Sequence, residues 1–86
     1  MEVSINNLKS IFPTEFLILV SLLKFEGAKA TIYDLALELN YSKSTLYYNV
    51  YKLQLRGLVR AENGYIQLTS EGKRIINEIR KLICKG

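Results

Sequence analysis

The sequence has no histidine and a single cysteine, Cys84. Without an imidazole there is no Ser-His-Asp or Cys-His nucleophile and no histidine metal site, and one thiol makes neither an intramolecular disulfide nor a CxxC pair. The sequence also lacks a glycine-rich phosphate loop, and no carboxylate pair falls in a recognisable catalytic motif. The chain therefore reads as a non-enzyme with no cofactor and no metal. Long apolar runs are missing too. The most apolar stretch, FLILVSLL, spans eight residues, against the roughly 20 needed to cross a bilayer. Met1 to Ser10 has neither the basic start nor the apolar middle of a signal peptide. The expected location is cytoplasmic, with no membrane partner.

What is present is a globular composition: 86 residues, 49% hydrophobic and 23% charged. That length makes one domain, 1–86, and a chain so short buries only roughly 60–65% of its unfolded surface. Dimerisation is therefore expected. The net charge of +4 is unevenly placed. Met1 to Glu38 holds three lysines against five acids, whereas Leu39 to Ala61 holds Lys43, Lys52, Arg56 and Arg60 with no acid. An acid-free cationic segment favours a polyanionic partner, and a solvated basic face is the plainer alternative.

Local signals divide the chain into elements. Residues 1–11 form an N-terminal arm or a short helix. Pro13 or Thr14 opens a helix over 12–26 that Gly27 would stop, and its apolar residues cover more than one face, so it must be sandwiched. Lys29-Ala30-Thr31 can form a brief strand. Thr-Ile-Tyr-Asp at 31–34 is a capping box for a helix over 31–40. Ser42 caps the next helix, 42–56, after a very short connection through Tyr41, which packs between the two. Gly57 fits a left-handed helix stop. A hairpin over 58–69 turns at Asn63-Gly64, and a last helix spans 70–84.

Helix, strand, helix, turn, helix, hairpin, helix is the order of a winged helix-turn-helix: a mainly α protein with a small β-hairpin wing (α+β). The segments SKSTLYYNVYKLQLRGLV and LTSEGKRI resemble the pattern of MarR- and PadR-type winged-helix transcriptional regulators. The matching positions are Ser42, Ser44, Thr45, Leu46, Leu53, Gly57, Leu58, Val59, Leu68, Thr69, Gly72 and Lys73. The resemblance covers about Thr14 to Ile76 and implies DNA binding through helix 42–56. Two features depart from it. The wing tip carries no cation, and full-length MarR proteins are nearly twice as long, so the chain looks more like small archaeal, plasmid or viral regulators.

On helix 42–56, Leu46, Val50, Leu53 and Gly57 share one buried stripe. The opposite face presents Ser44, Tyr48, Tyr51 and Leu55, flanked by Tyr47, which either completes the core or faces outward, and Lys52. In a helix-turn-helix that face enters the major groove. The expected DNA-binding residues are Ser42, Lys43, Ser44, Thr45, Tyr47, Tyr48, Tyr51, Lys52 and Arg60, with Thr31 and Tyr33 meeting the backbone from the preceding helix. Tyrosine hydroxyls and rings serve a groove without adding charge. Arg56 either caps carbonyls or is solvated. Ile75, Ile79, Leu82 and Ile83 on the last helix are the expected homodimer interface. Together these readings give a nucleoid-associated, sequence-specific regulator of double-stranded DNA with no small-molecule effector evident. A winged-helix protein-protein interaction module is the alternative. Leu55 has no role in either.

Overall fold

The computed structural model describes residues 13–84, with side chains through Leu82. The arm expected at 1–11 lies outside the described residues. The first helix, α1, runs Pro13–Leu22; proline suits a first turn because its missing N–H would have had no helical acceptor there. It stops a turn short of the expected Glu26. The amides of Leu23, Lys24 and Phe25 bond to the carbonyls of Val20, Ser21 and Leu22, three residues back. The helix thus tightens and ends before Gly27 is reached. Gly27 instead sits within a short 3-10 turn, Glu26–Ala28.

Strand β1, Lys29–Ala30, leads into α2, Ile32–Leu39. The Thr31 hydroxyl accepts from the Asp34 amide at 3.0 Å, and the Asp34 carboxylate accepts from the Thr31 amide at 3.2 Å. This reciprocal cap satisfies two amides that a helix start leaves orphaned. Asn40, left-handed at φ 59°, closes α2 by donating its N–H to the Ala36 carbonyl. After Tyr41, Ser42 caps α3, Lys43–Leu55, through its hydroxyl oxygen, which accepts from the Thr45 amide at 3.2 Å.

The wing consists of β2, Val59–Glu62, and β3, Tyr65–Leu68, joined at Asn63 and Gly64 with φ 53° and 82°. Two consecutive positive φ values are those of a type I′ turn, whose twist matches the strands it joins. Strand β1 adds to the other edge of β3, giving the antiparallel order β1-β3-β2. Helix α4, Ser70–Cys84, completes the fold.

One residue locks the wing to α4. The Thr69 hydroxyl donates to the Gly57 carbonyl at 2.6 Å and accepts from the Gly72 amide at 3.0 Å, while its own amide donates to the Leu58 carbonyl. The chain passes so close here that a Cβ on Gly72 would lie 2.2 Å from the Leu58 oxygen. The Leu-Thr-x-x-Gly signature is thus a cap and a close backbone approach. Gly57 itself has φ 74° but is exposed, with nothing within 4 Å of a Cβ placed there. It ends α3 for backbone reasons and does not extend the buried stripe, as the helical spacing had suggested.

Every described helix and strand sends side chains into one core, and Ala28 of the 3-10 turn packs against it. Ile18, Leu19 and Leu22 of α1 meet Leu35 of α2, Leu46, Val50 and Leu53 of α3, Val59, Ile66 and Leu68 of the wing, and Ile75 and Ile76 of α4. Among these apolar groups lies a carboxylate. Glu15 is 0% exposed, and its Oε2 accepts from Arg56 Nη1 at 2.6 Å, joining α1 to the end of α3 across 41 residues of sequence. Arg56 therefore has a structural partner and is neither a simple carbonyl cap nor a free surface charge. Such a pair adds little net stability compared with apolar replacements, yet removing one charge is costly, because the other has been taken out of water.

Two outcomes follow for denaturant unfolding. Arg56→Ala should lose stability toward the lower end of the about 3–5 kcal/mol expected when a buried pair is broken, because its side chain is still 31% exposed. Glu15→Leu combined with Arg56→Met should recover most of the loss. Gly72→Ala should cost about 1–3 kcal/mol by overpacking, with no recovery from any change at the surface of α4.

Candidate nucleic-acid interface

The inward face of α3 is fully used. Leu46, Val50 and Leu53 are buried, and Asn49 joins them, its side-chain amide donating to the Thr45 carbonyl at 2.8 Å. Asn49 was not anticipated, although its spacing from Leu46 and Leu53, three and four residues, is that of the stripe itself. Burial at 8% exposure, with one N–H committed to its own helix, keeps this amide from reaching a base. Everything else that could do so faces solvent.

Tyr47, Tyr48 and Tyr51 are 61%, 63% and 58% exposed. The choice left open for Tyr47 therefore resolves outward, with the other two. Ser42, Lys43, Ser44 and Thr45 are exposed along the first turn, and no acid occurs on the helix. The Lys52 ammonium lies 5.0 Å from the centre of the Tyr48 ring one turn earlier, a cation-π arrangement that holds a positive charge beside the aromatic face. The Ser42 hydroxyl also donates to Thr45 Oγ1 at 3.0 Å, so part of its hydrogen-bonding capacity is committed to the cap.

Thr31, the cap of α2, and Tyr33 within it join this surface at its amino end. Lys43 Nζ lies 5.8 Å from the centre of the Tyr33 ring, bringing the starts of α2 and α3 together. Thr31, Tyr33, Lys43 and Tyr47 then line one side of a cleft of about 440 Å³ whose other side is the wing tip at Asn63 and Tyr65. Thr31 faces that cleft while its hydroxyl oxygen serves the α2 cap, which leaves its proton free to donate. Arg60 is not gathered with the others. It alternates with Ala61, which lines the cleft, and so stands on the opposite face of the wing, aligned with Gln67 and 3.7 Å from the Glu62 carboxylate. At the start of the wing, where it was expected, Arg60 thus stands outside the cleft that gathers Thr31, Tyr33, Lys43 and Tyr47.

The residues expected to pair two copies are divided as well. Ile75 is 1% exposed and Ile76 is buried, so both belong to the core of the single chain. Ile75 therefore has no surface left to offer a partner. Ile79 is half-buried against that core, Leu82 is exposed, and the Ile83 side chain lies outside the described residues. Among the described residues no group of three acidic, thiol or imidazole side chains could hold a metal ion, and no helix is long and apolar enough to cross a membrane.

Because the three α3 tyrosines touch little, replacing each singly by Ala should change thermal or denaturant stability by no more than about 0.5 kcal/mol. A larger loss at Tyr47 would return that residue to the core.

No family model matches the sequence, and no curated protein matches it. Solved structures do. AbsC, a MarR family transcriptional regulator from Streptomyces coelicolor, is 26% identical with a TM-score of 0.80, over 92% of this chain and 57% of AbsC. Sco5413, a second MarR family transcriptional regulator from the same organism, is 19% identical with a TM-score of 0.74, over 81% of this chain and 52% of that one. The chain thus spans little more than half the length of each. Both neighbours are transcriptional regulators. With its helix pair, three-stranded wing and capping geometry, the chain is a winged helix-turn-helix domain with the fold of the MarR family of transcriptional regulators.

Proposed function

We propose that the protein binds double-stranded DNA sequence-specifically as a homodimeric transcriptional regulator, inserting α3 into the major groove. The observation that carries this reading is the outward face of α3: three exposed tyrosines with Lys43 and Lys52, no acid, and a complete apolar stripe behind them. A helix-turn-helix presents that face to base edges, with its first turns deepest. The start of α3 supplies backbone amides suited to a phosphate, and α2 brings Thr31 and Tyr33 to the adjoining backbone. The wing adds little charge, since its tip carries no cation and Arg60 lies on its other face.

Dimerisation has a narrower basis than the apolar pattern of the last helix implies. Leu17 of α1, Leu23 just after that helix and Leu82 of α4 stay exposed once the core is built. Covering them with a second copy would suit a chain that buries so small a fraction of its surface. A two-fold pair would then set its α3 helices about 34 Å apart, one turn of DNA. Such a protein works where its DNA is, on the nucleoid.

Affinity for duplex DNA should fall steeply between about 50 and 200 mM salt, as neutralised phosphates release counterions. Lys43→Glu with Lys52→Glu should weaken binding about tenfold or more and flatten the salt slope by about two, while circular dichroism stays unchanged. Binding that is undetectable at low salt, or indifferent to salt, would overturn the proposal. A double variant that keeps its DNA affinity yet loses a protein partner would instead support the interaction-module reading.

A further inference from the structure

We infer that α3 selects sites by thymine methyl groups, so that A·T pairs lie under Tyr48 and Tyr51. This rests on the reading of α3 as a major-groove helix and narrows what that helix recognises. Each base pair has a preferred side-chain reader. Guanine is read by a bidentate arginine or lysine, adenine by a bidentate asparagine or glutamine, cytosine by a carboxylate, and thymine through its C5-methyl by an apolar surface.

The structure removes these readers from α3 in turn. Arg56, the nearest guanidinium, lies beyond the last turn and is paired with the buried Glu15. The ammonium groups of Lys43 and Lys52 lie over the rings of Tyr33 and Tyr48, to the sides of the outward face. Asn49 is buried and bonded to the Thr45 carbonyl. Gln54 is in the final turn, whereas the first turns are the ones that reach base edges. The helix has no carboxylate.

The remaining surface is tyrosine rings and the hydroxyls of Ser44 and Thr45. Tyr48 and Tyr51 are three residues apart on one face, each more than half exposed. The Lys52 ammonium lies over the Tyr48 ring at 5.0 Å from its centre, and the residue as a whole stays 63% exposed. An apolar ring face has one distinctive partner in the major groove, the thymine methyl, because no other standard base carries a methyl there.

The test begins with selection from a pool of random duplexes, followed by synthesis of the enriched duplex with thymine or with uracil, which lacks only the methyl. The expected result is an enriched half-site with A·T pairs at its core, bound about fourfold more weakly for each contacted methyl removed. Tyr48→Ala with Tyr51→Ala should abolish the thymine-uracil difference. Tyr48→Phe and Tyr51→Phe should retain it, because the ring survives. An enriched duplex bound equally with thymine or uracil, a core of G·C pairs, or a difference that persists in the double alanine variant would overturn the inference and leave the DNA-binding reading standing. If selection enriches nothing at low salt, both fall together.

Discussion

A carboxylate with no exposed surface constrains this domain more than any of its apolar contacts. Glu15 stands three and four residues before Ile18 and Leu19, on the stripe that α1 turns inward, so folding must deliver a positive charge to it. Arg56 supplies that charge from the far end of α3. Many apolar packings of three short helices would bury similar areas, but few bring a guanidinium within 2.6 Å of that oxygen. The pair consequently sets how α3 lies across α1, and therefore the direction in which its outer face points. Burial of the Glu15 charge, with its partner partly withdrawn from water, is energetically unfavourable relative to apolar side chains; its benefit is orientation.

A second constraint acts where the wing meets the last helix. The Thr69 hydroxyl bonds to both Gly57 and Gly72, so the end of α3, the base of the hairpin and the start of α4 share one side chain. The absence of a side chain at Gly72 lets the α4 backbone approach the Leu58 carbonyl. Held at both ends, by Ser42 at its start and by Arg56 and Thr69 near its close, α3 is a rigid mount. Rigid elements hold binding groups more precisely than loops do.

The proposed recognition surface gains from this arrangement because it needs no residue that the core also needs. Leu46, Asn49, Val50 and Leu53 make the inner contacts, and the outer tyrosines are left to their lysine neighbours and to solvent. Exposed aromatic rings are a liability for solubility unless something covers them. Here Lys43 and Lys52 place charges over the rings of Tyr33 and Tyr48, which keeps the surface polar in water and suited to a polyanion. The same separation leaves Leu55, exposed at the helix end, without a structural role.

The sequence by itself determined the winged-helix architecture, because its signals are local. The Thr31-Asp34 box, the Ser42 cap, the Asn63-Gly64 turn and the three-four spacing of Leu46, Val50 and Leu53 each act within a few residues, through hydrogen bonds and periodicity that a linear string records. Two further facts were present in the string as well. Glu15 and Asn49 occupy stripe positions, and a polar group at such a spacing signals a buried partner. Only the tertiary structure decided that Arg56 is the partner of Glu15, that Tyr47 faces out and that Ile75 is consumed by the core. Each of these depends on which surface of one element meets another, and contacts between residues distant along the chain are not written in its periodicity.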